Sequence, residues 1–253
     1  MLNKKIFIML ITFTISILIV SKEICNAWEH ETCDVIKTKF GNVRVIRSIP
    51  ELPANIVTVN GKEVFQSGGD YAFLYKSFRT SNYIAVLFGE NAGGSATPVD
   101  TLYFLLLRPN KKPIVIRNKD FYSADGTMII KQKNNDVLFD LGFEEKKKKT
   151  AILTSGKIVV RYDMVGVLPM ELEDCNWLYE NSMNECIKLR SDCEQARDYS
   201  GDCVATMTGI TVLSNHPGFA SSALDDICVT ACKTGTAITF EQFKKRVCSF
   251  PKN

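Results

Sequence analysis

Histidine is scarce in this chain of 253 residues, with only His30 and His216 present. Because histidine is the side chain most often used as a general base, this scarcity disfavours hydrolases that pair histidine with a serine or cysteine nucleophile. His30 lies just after a predicted cleavage site, where a catalytic group would be poorly held. His216 precedes Pro217 and Gly218, and Ser214 is too near it in sequence to serve as its nucleophile. We expect His216 to be a loop residue before a helix.

The motifs of phosphate binding, metal binding and nucleophile elbows are also missing. The glycine-rich stretches 67–71 and 90–95 do not match GxxxxGK[ST], and Thr97 replaces the last glycine of a GxSxG elbow. Cys228 and Cys232 have the spacing of half a zinc site, but no CxxC pair accompanies them. Asp120–Gly126 lacks the alternating ligands and the closing glutamate of an EF-hand. We therefore expect no cofactor and no metal.

Neither sign of charge is in large excess, since 31 lysines and arginines face 28 aspartates and glutamates for a net charge of +3. So small a balance argues against nucleic acid as a partner. The apolar fraction of 45% and the charged fraction of 23% are typical of a folded globular protein. After the N-terminal segment no apolar run approaches the roughly 20 residues of a membrane span. The chain has no N-x-[ST] sequon, which favours a bacterial source.

Residues 1–27 have the organisation of a secretory signal peptide. Lys4-Lys5 supplies the positive charge, residues 6–20 form an apolar run, and Cys25-Asn26-Ala27 places small residues before a cleavage site at Trp28. The apolar run is shorter than the roughly 20 residues of a membrane anchor. The segment therefore predicts export to the periplasm or the extracellular space, with no stable membrane span once it is removed.

Cysteine is the abundant reactive side chain. Of the nine cysteines, Cys25 leaves with the signal peptide, and an even set in an exported chain predicts disulfides. The predicted disulfide cysteines are Cys33, Cys175, Cys186, Cys193, Cys203, Cys228, Cys232 and Cys248. Their connectivity stays open, but all except Cys33 lie after residue 170. A bond from Cys33 would tie the N-terminus to the C-terminal part of the chain.

Residues 28–168 are predicted to form a β-rich domain. Short segments rich in β-branched and aromatic residues recur at regular spacing and are separated by turn sequences. They predict about ten antiparallel strands in a meander, sandwich or barrel-like arrangement. Asn60-Gly61 and Ser155-Gly156 are predicted to be two-residue hairpin turns.

Residues 169–253 are predicted to form a cysteine-rich helical module, so the fold class is α+β and mainly β. From Leu172, apolar residues and cysteines recur at spacings of three and four, which predicts a helix with one buried face. Ser222 is predicted to cap a second helix that ends at Gly235. The stretch Thr239–Gln242 has capping-box spacing for a last helix. Disulfides would compensate for the limited core of so small a module.

Two features are candidates for contact with a partner. The first is the long connection between two apolar strands, because such loops in β domains often carry binding function. Its candidate binding residues are Glu90, Asn91, Gly93, Gly94 and Asp100. The second is the run Lys146–Lys149, which we interpret as a solvated hairpin tip that discourages edge pairing. The other interpretation of this run is contact with an anionic partner.

Export, disulfides and few general bases favour a non-catalytic protein that binds a protein partner through strand edges or loops. An exported β-rich domain with a bridged helical module and no catalytic motif is similar in design to bacterial inhibitor and immunity proteins. That resemblance implies an exported enzyme or toxin as the target. The alternative is a secreted hydrolase of carbohydrate or cell-wall material that brings together carboxylates such as Asp70, Glu90, Asp100 or Asp120. A structural envelope component is a third hypothesis, and the oligomeric state stays open.

Overall fold

The computed structural model describes residues 35–49, 51, 53–68, 71–91, 101–194, 196 and 207–248. The predicted signal peptide 1–27 lies outside these residues. Several predicted site and disulfide residues lie outside them as well, namely Cys33, Asp70, Gly93, Gly94, Asp100 and Cys203. What the sequence predicts for these residues stays a prediction.

Twelve strands form three antiparallel sheets of four strands each. The first sheet contains β1 (Val35–Thr38), β2 (Gly41–Arg47), β3 (Ala54–Val59) and β4 (Lys62–Gln66). The central sheet contains β5 (Tyr71–Arg79), β6 (Ile84–Asn91), β7 (Thr101–Leu107) and β8 (Ile114–Arg117). The third sheet contains β9 (Ile129–Lys133), β10 (Asp136–Glu144), β11 (Lys147–Thr154) and β12 (Lys157–Met164). Neighbouring strands in each sheet are consecutive in the chain, so each sheet is a meander, and the predicted mainly β architecture is confirmed.

The central sheet lies between the other two. Phe88 and Leu105 on one of its faces belong to the core shared with the first sheet. Leu87 and Phe104 on its other face belong to the core shared with the third sheet. Because neither face meets water, β6 and β7 are almost continuously apolar instead of alternating between apolar and polar residues.

Two-residue turns connect the two strands in several of the hairpins. Asn60-Gly61 has φ angles of 51° and 77°, and Ser155-Gly156 has φ angles of 48° and 76°. Both predicted turns therefore have the left-handed backbone that a two-residue hairpin needs. The β10–β11 turn adopts the same backbone with Glu145-Lys146, at φ angles of 48° and 65°. Side chains other than glycine make this conformation unfavourable, so contacts elsewhere must hold the turn.

The C-terminal part is helical. It contains α1 (Leu172–Lys188), a short 3₁₀ helix (Leu189–Ser191), α2 (Met207–Ser214), α3 (Ser221–Thr234) and α4 (Phe240–Val247). These elements share a separate core, in which Leu178, Ile227 and Phe243 are fully buried. Within the described ranges, no helix has the length and apolar character needed to cross a membrane.

Three disulfides bind the helices together. Cys175 pairs with Cys248, Cys186 with Cys228 and Cys193 with Cys232, at Cα–Cα distances of 6.0, 5.0 and 5.6 Å. They connect α1 and the segment after it to α3 and to the end of α4. Cys175 and Cys186 are buried on one face of α1, as the sequence predicts, whereas Cys193 lies after the 3₁₀ helix and is only partly buried. These bonds point to an oxidising compartment.

The helix ends agree with the sequence in two cases and differ in one. Gly235 ends α3 with a φ angle of 69°, and Thr239 and Gln242 form the predicted capping box of α4. The prediction that Ser222 caps α3 is wrong. The helix begins at Ser221, so Ala220, two residues before Ser222, occupies the cap position, where it has no side-chain oxygen to offer.

The strand-rich and helical parts meet at the β10–β11 turn. The Lys146 N–H donates to the carbonyl oxygen of Asn215 at 3.0 Å, and the Glu145 N–H donates to Asn215 Oδ1 at 3.1 Å. Asn215 Nδ2 in turn donates to the carbonyl oxygen of Ala124 at 3.3 Å. One asparagine therefore satisfies backbone groups of two loops and stabilises the unfavourable turn.

Candidate functional site

The third sheet turns one face to solvent, and four apolar side chains on that face form the outer patch. They are Ile129, Leu138, Ile152 and Val159. Leu138 lies directly opposite Ile152, and Ile152 lies opposite Val159, so these three form a row across three strands. Ile129, Leu138 and Val159 are exposed by 47%, 38% and 39%. The patch lines an open cavity of about 340 Å³.

Charged side chains flank the outer patch on both edge strands. Lys131 on β9 lies opposite Leu138, and Arg161 on β12 lies opposite Thr150. Asp140 is engaged by Lys148 Nζ at 2.6 Å. Lys131 and Arg161 form no ion pair with any residue that the structure describes. Lys131 therefore stands at the β9 end of the apolar row, and Arg161 lies two residues after Val159 on β12.

This arrangement is suited to binding a protein surface. Single exposed apolar side chains are common, but a contiguous row with a charged rim is typical of interaction sites. Removing such side chains from water stabilises a complex by about 25 cal/mol for each Å² of apolar surface. A partner with an apolar centre and carboxylates at its edge would match both components.

A second polar feature lies on the inner face of the same sheet, towards the β10–β11 turn. Lys149 is fully buried, and its Nζ donates to Glu144 Oε2 at 2.6 Å. The ammonium also lies 3.3 Å from the centroid of the Tyr122 ring. Glu144 accepts hydrogen bonds from the hydroxyls of Tyr122 and Tyr162 as well. The buried charge is thus paired, and its carboxylate partner has three donors.

These contacts perturb the protonation of all four groups. The hydrogen bond to Glu144 and burial raise the pKa of Tyr122 to about 12. Burial and the charge of Glu144 raise the pKa of Tyr162 as well. Burial would raise the pKa of Glu144, but hydrogen bonds from Lys149 and Tyr122 outweigh it and lower that pKa. Burial lowers the pKa of Lys149 despite its carboxylate partner.

The cluster of Lys149, Glu144, Tyr122 and Tyr162 stabilises the fold and is not a substrate site. A fully buried amine held by a carboxylate does not meet a solvent-borne substrate in this conformation. The interpretation of Lys146–Lys149 as a solvated tip is therefore correct for Lys146, which is in the turn, and wrong for Lys149. The alternation of side chains along β11 directs Lys149 inward. There it contacts the Glu144 carboxylate of β10 and the ring of Tyr122, which lies in the loop between β8 and β9.

His216 lies between α2 and α3, as the sequence predicts for a loop residue. The Gly218 N–H donates to His216 Nδ1 at 3.0 Å, so in the neutral ring the proton is on Nε2. The ring packs edge-on against Phe143 with centroids 5.0 Å apart. Burial lowers the pKa of His216. These contacts join the helical part to the third sheet and give the ring a packing role.

The described part of the predicted binding loop is its first two residues. Glu90 and Asn91 end β6, where Asn91 lies opposite Tyr71 and Glu90 opposite Thr101. The Tyr103 hydroxyl donates to the Glu90 carboxylate. Glu90 is thus tied to the central sheet at the point where the loop leaves it, and the contact surface predicted for the loop stays a prediction.

Two of the carboxylates considered for the hydrolase alternative lie on opposite sides of the central sheet. Glu90 accepts a hydrogen bond from Tyr103, whose ring belongs to the core shared with the first sheet. Asp120 acts electrostatically on Tyr122 and Lys149, at the side of the third sheet. Glu90 and Asp120 therefore lie towards different sheets. Among the described residues, no three histidine, cysteine or acidic side chains come together as metal ligands.

The outer patch was not predicted from the sequence, although a signal for it exists. Strands β10, β11 and β12 each contain consecutive apolar residues, such as Val137-Leu138-Phe139 and Ile158-Val159-Val160. A sheet with one face in water should alternate, so consecutive apolar residues in an outer sheet indicate a second apolar face.

No protein-family model, curated protein or solved structure matches this chain. The function is therefore inferred from the chemistry of the site.

Proposed function

We propose that the protein is an exported, non-catalytic binding protein that docks a partner protein on the outer patch. The observation that carries this proposal is the row of Leu138, Ile152 and Val159, which lie side by side on a solvent-facing sheet. Such a row is expected at the centre of an interface, where a few well-packed side chains supply most of the affinity.

Export is supported by the three disulfides and by the organisation of residues 1–27. The disulfides fit the periplasm or the extracellular space, where thiols are oxidised. The N-terminal segment has the charge, apolar run and small residues of a signal peptide. The lack of an N-glycosylation sequon supports a bacterial host.

The partner that fits this site is an exported protein with an acidic rim. Lys131 and Arg161 stand on opposite edge strands of the outer patch and form no ion pair within the described part of the chain, so carboxylates on the partner would pair with them. An exported enzyme or toxin with such a surface would be inhibited if the complex covered its active site. The protein would then act as an inhibitor or immunity protein.

The proposal is tested by comparative affinity capture. The full chain is produced by secretion so that its disulfides form, immobilised, and exposed to envelope and secreted extract of its own cells. The test variant is Leu138→Glu with Val159→Glu, which places like charges in the apolar row. The control variant is Ile46→Glu with Ile49→Glu, which changes isoleucines exposed by 44% and 50% that lie in and just after β2.

The proposal predicts one stoichiometric partner, retained by the native protein and the control variant and lost from the test variant. Bound proteins are identified by mass spectrometry, and circular dichroism verifies that both variants are folded. Equal retention by the two variants would place the interface elsewhere, and no retained partner at all would contradict a binding function.

A further inference from the structure

A second concave surface, the basic groove, lies where the β3–β4 hairpin approaches the turn between β7 and β8. Its cavity has a volume of about 670 Å³. Its cationic residues are Lys62, Arg108, Lys111 and Lys112. Its apolar residues include Phe40, Val64 and Pro113. The β3–β4 hairpin and the β7–β8 turn thus bring three lysines beside an apolar floor, whereas the Arg108 guanidinium lies next to Tyr83 and Gly156.

The charges of the basic groove are unbalanced. Glu63 is the one acidic side chain among its described lining residues. None of the four cations forms an ion pair with a described residue. Lysines 62, 111 and 112 are exposed, and the Arg108 guanidinium lies 5.8 Å from the Tyr83 ring centroid, which steadies it. Like charges held close together repel, so an anion entering the groove would relieve that repulsion.

We infer that the basic groove binds an acidic peptide segment that carries an apolar or aromatic side chain. Carboxylates would face the lysines, and the apolar side chain would lie on the floor formed by Phe40, Val64 and Pro113. The cations at the groove are Lys62, Lys111 and Lys112, whose ammonium groups act as point charges and can each pair with a single carboxylate. A concave surface with an apolar floor also suits a peptide better than a flat bilayer of lipid headgroups.

The basic groove is separate from the outer patch. Its residues come from the first and central sheets, whereas the outer patch lies on the solvent face of the third sheet. Because the central sheet lies between the other two, the two surfaces can be altered independently. Failure of one proposal therefore leaves the other standing.

The test measures binding of a fluorescein-labelled peptide in which one phenylalanine is flanked by two glutamates on each side. Fluorescence anisotropy with the full, secreted chain should give a dissociation constant in the micromolar range that weakens as salt is raised. Lys111→Glu with Lys112→Glu should weaken binding at least tenfold, and Lys62→Glu alone at least threefold. The same peptide with glutamine in place of glutamate should bind at least tenfold more weakly.

The control is Lys233→Glu with Lys245→Glu, which makes the same change in net charge on exposed lysines of α3 and α4. It should bind the peptide as the native protein does, and so should Leu138→Glu with Val159→Glu. Equal loss in the control and in the groove variants would show that net charge alone attracts the peptide and would overturn the inference. Binding of phosphatidylglycerol vesicles without binding of the peptide would overturn it in favour of a membrane surface.

Discussion

Replacing Glu144 by glutamine should destabilise the protein more than replacing Lys149 by methionine. Lys149 is fully buried, whereas the Glu144 side chain keeps 19% of its surface exposed. In Glu144→Gln the ammonium stays buried without a carboxylate partner. In Lys149→Met the Glu144 carboxylate still accepts hydrogen bonds from the hydroxyls of Tyr122 and Tyr162 and keeps some contact with water.

The magnitudes follow from these environments. Leaving a buried charge unpaired costs about 3–5 kcal/mol. This cost cannot exceed the cost of deprotonating Lys149, because the neutral amine no longer needs a carboxylate partner. Deprotonating a lysine of ordinary pKa 10.5 at pH 7 costs about 1.4 kcal/mol for each pH unit, or about 5 kcal/mol in total. We therefore expect Glu144→Gln to lower the free energy of unfolding by about 3–5 kcal/mol. Lys149→Met should lower it by about 1.5–3 kcal/mol, the range for a lost hydrogen bond to a charged group.

Urea unfolding followed by circular dichroism, with the disulfides intact, measures both variants. In Glu144→Gln the buried amine releases its proton at a lower pH than in the unfolded chain. The unfolded state then binds more protons, so the stability of this variant should rise between pH 7 and pH 10. Equal losses in the two variants, or a stability of Glu144→Gln that does not rise with pH, would refute this description of the buried pair.

Three further predictions concern other parts of the molecule. Ser182→Ala should raise the free energy of unfolding by about 1 kcal/mol, because Ser182 Oγ is buried without a partner among the described residues; lower stability on urea unfolding would contradict this. The raised pKa of Tyr122 predicts that stability falls as pH rises from 10 towards 12, since the unfolded tyrosine ionises first, and that Tyr122→Phe reduces this fall. Non-reducing peptide mapping should find Cys33 bonded to Cys203, the cysteines that remain after the three bridges and removal of Cys25; free thiols there would contradict the pairing.

Local chemistry explains which parts of the fold the sequence predicts well. Asn60-Gly61 specifies its turn because both residues tolerate a positive φ angle. Thr239 and Gln242 specify the start of α4 through their own side-chain bonds to the backbone. The spacing of Cys175 and Cys186 places both on the buried face of α1. Each of these features depends on residues near one another in the chain.

The candidate site depends on how the sheets stack, which is why the sequence predicts it poorly. Lys146 and Lys149 have the same chemistry, yet one lies in a turn and the other is buried by a carboxylate and a tyrosine that the fold brings to it. Likewise, the sequence does not distinguish Leu138, which faces water, from Phe139, which faces the central sheet. Only the layering of the three sheets decides which apolar face is covered.

Site-specific photo-crosslinking in the cells that produce the protein would test the proposed docking on the outer patch. A photoreactive amino acid is placed at Leu138 in one variant and at Ile46 in another, both at exposed strand positions. Docking on the outer patch predicts a discrete crosslinked adduct with one exported protein from position 138 and none from position 46. An adduct from position 46 alone, or no adduct from position 138, would contradict it.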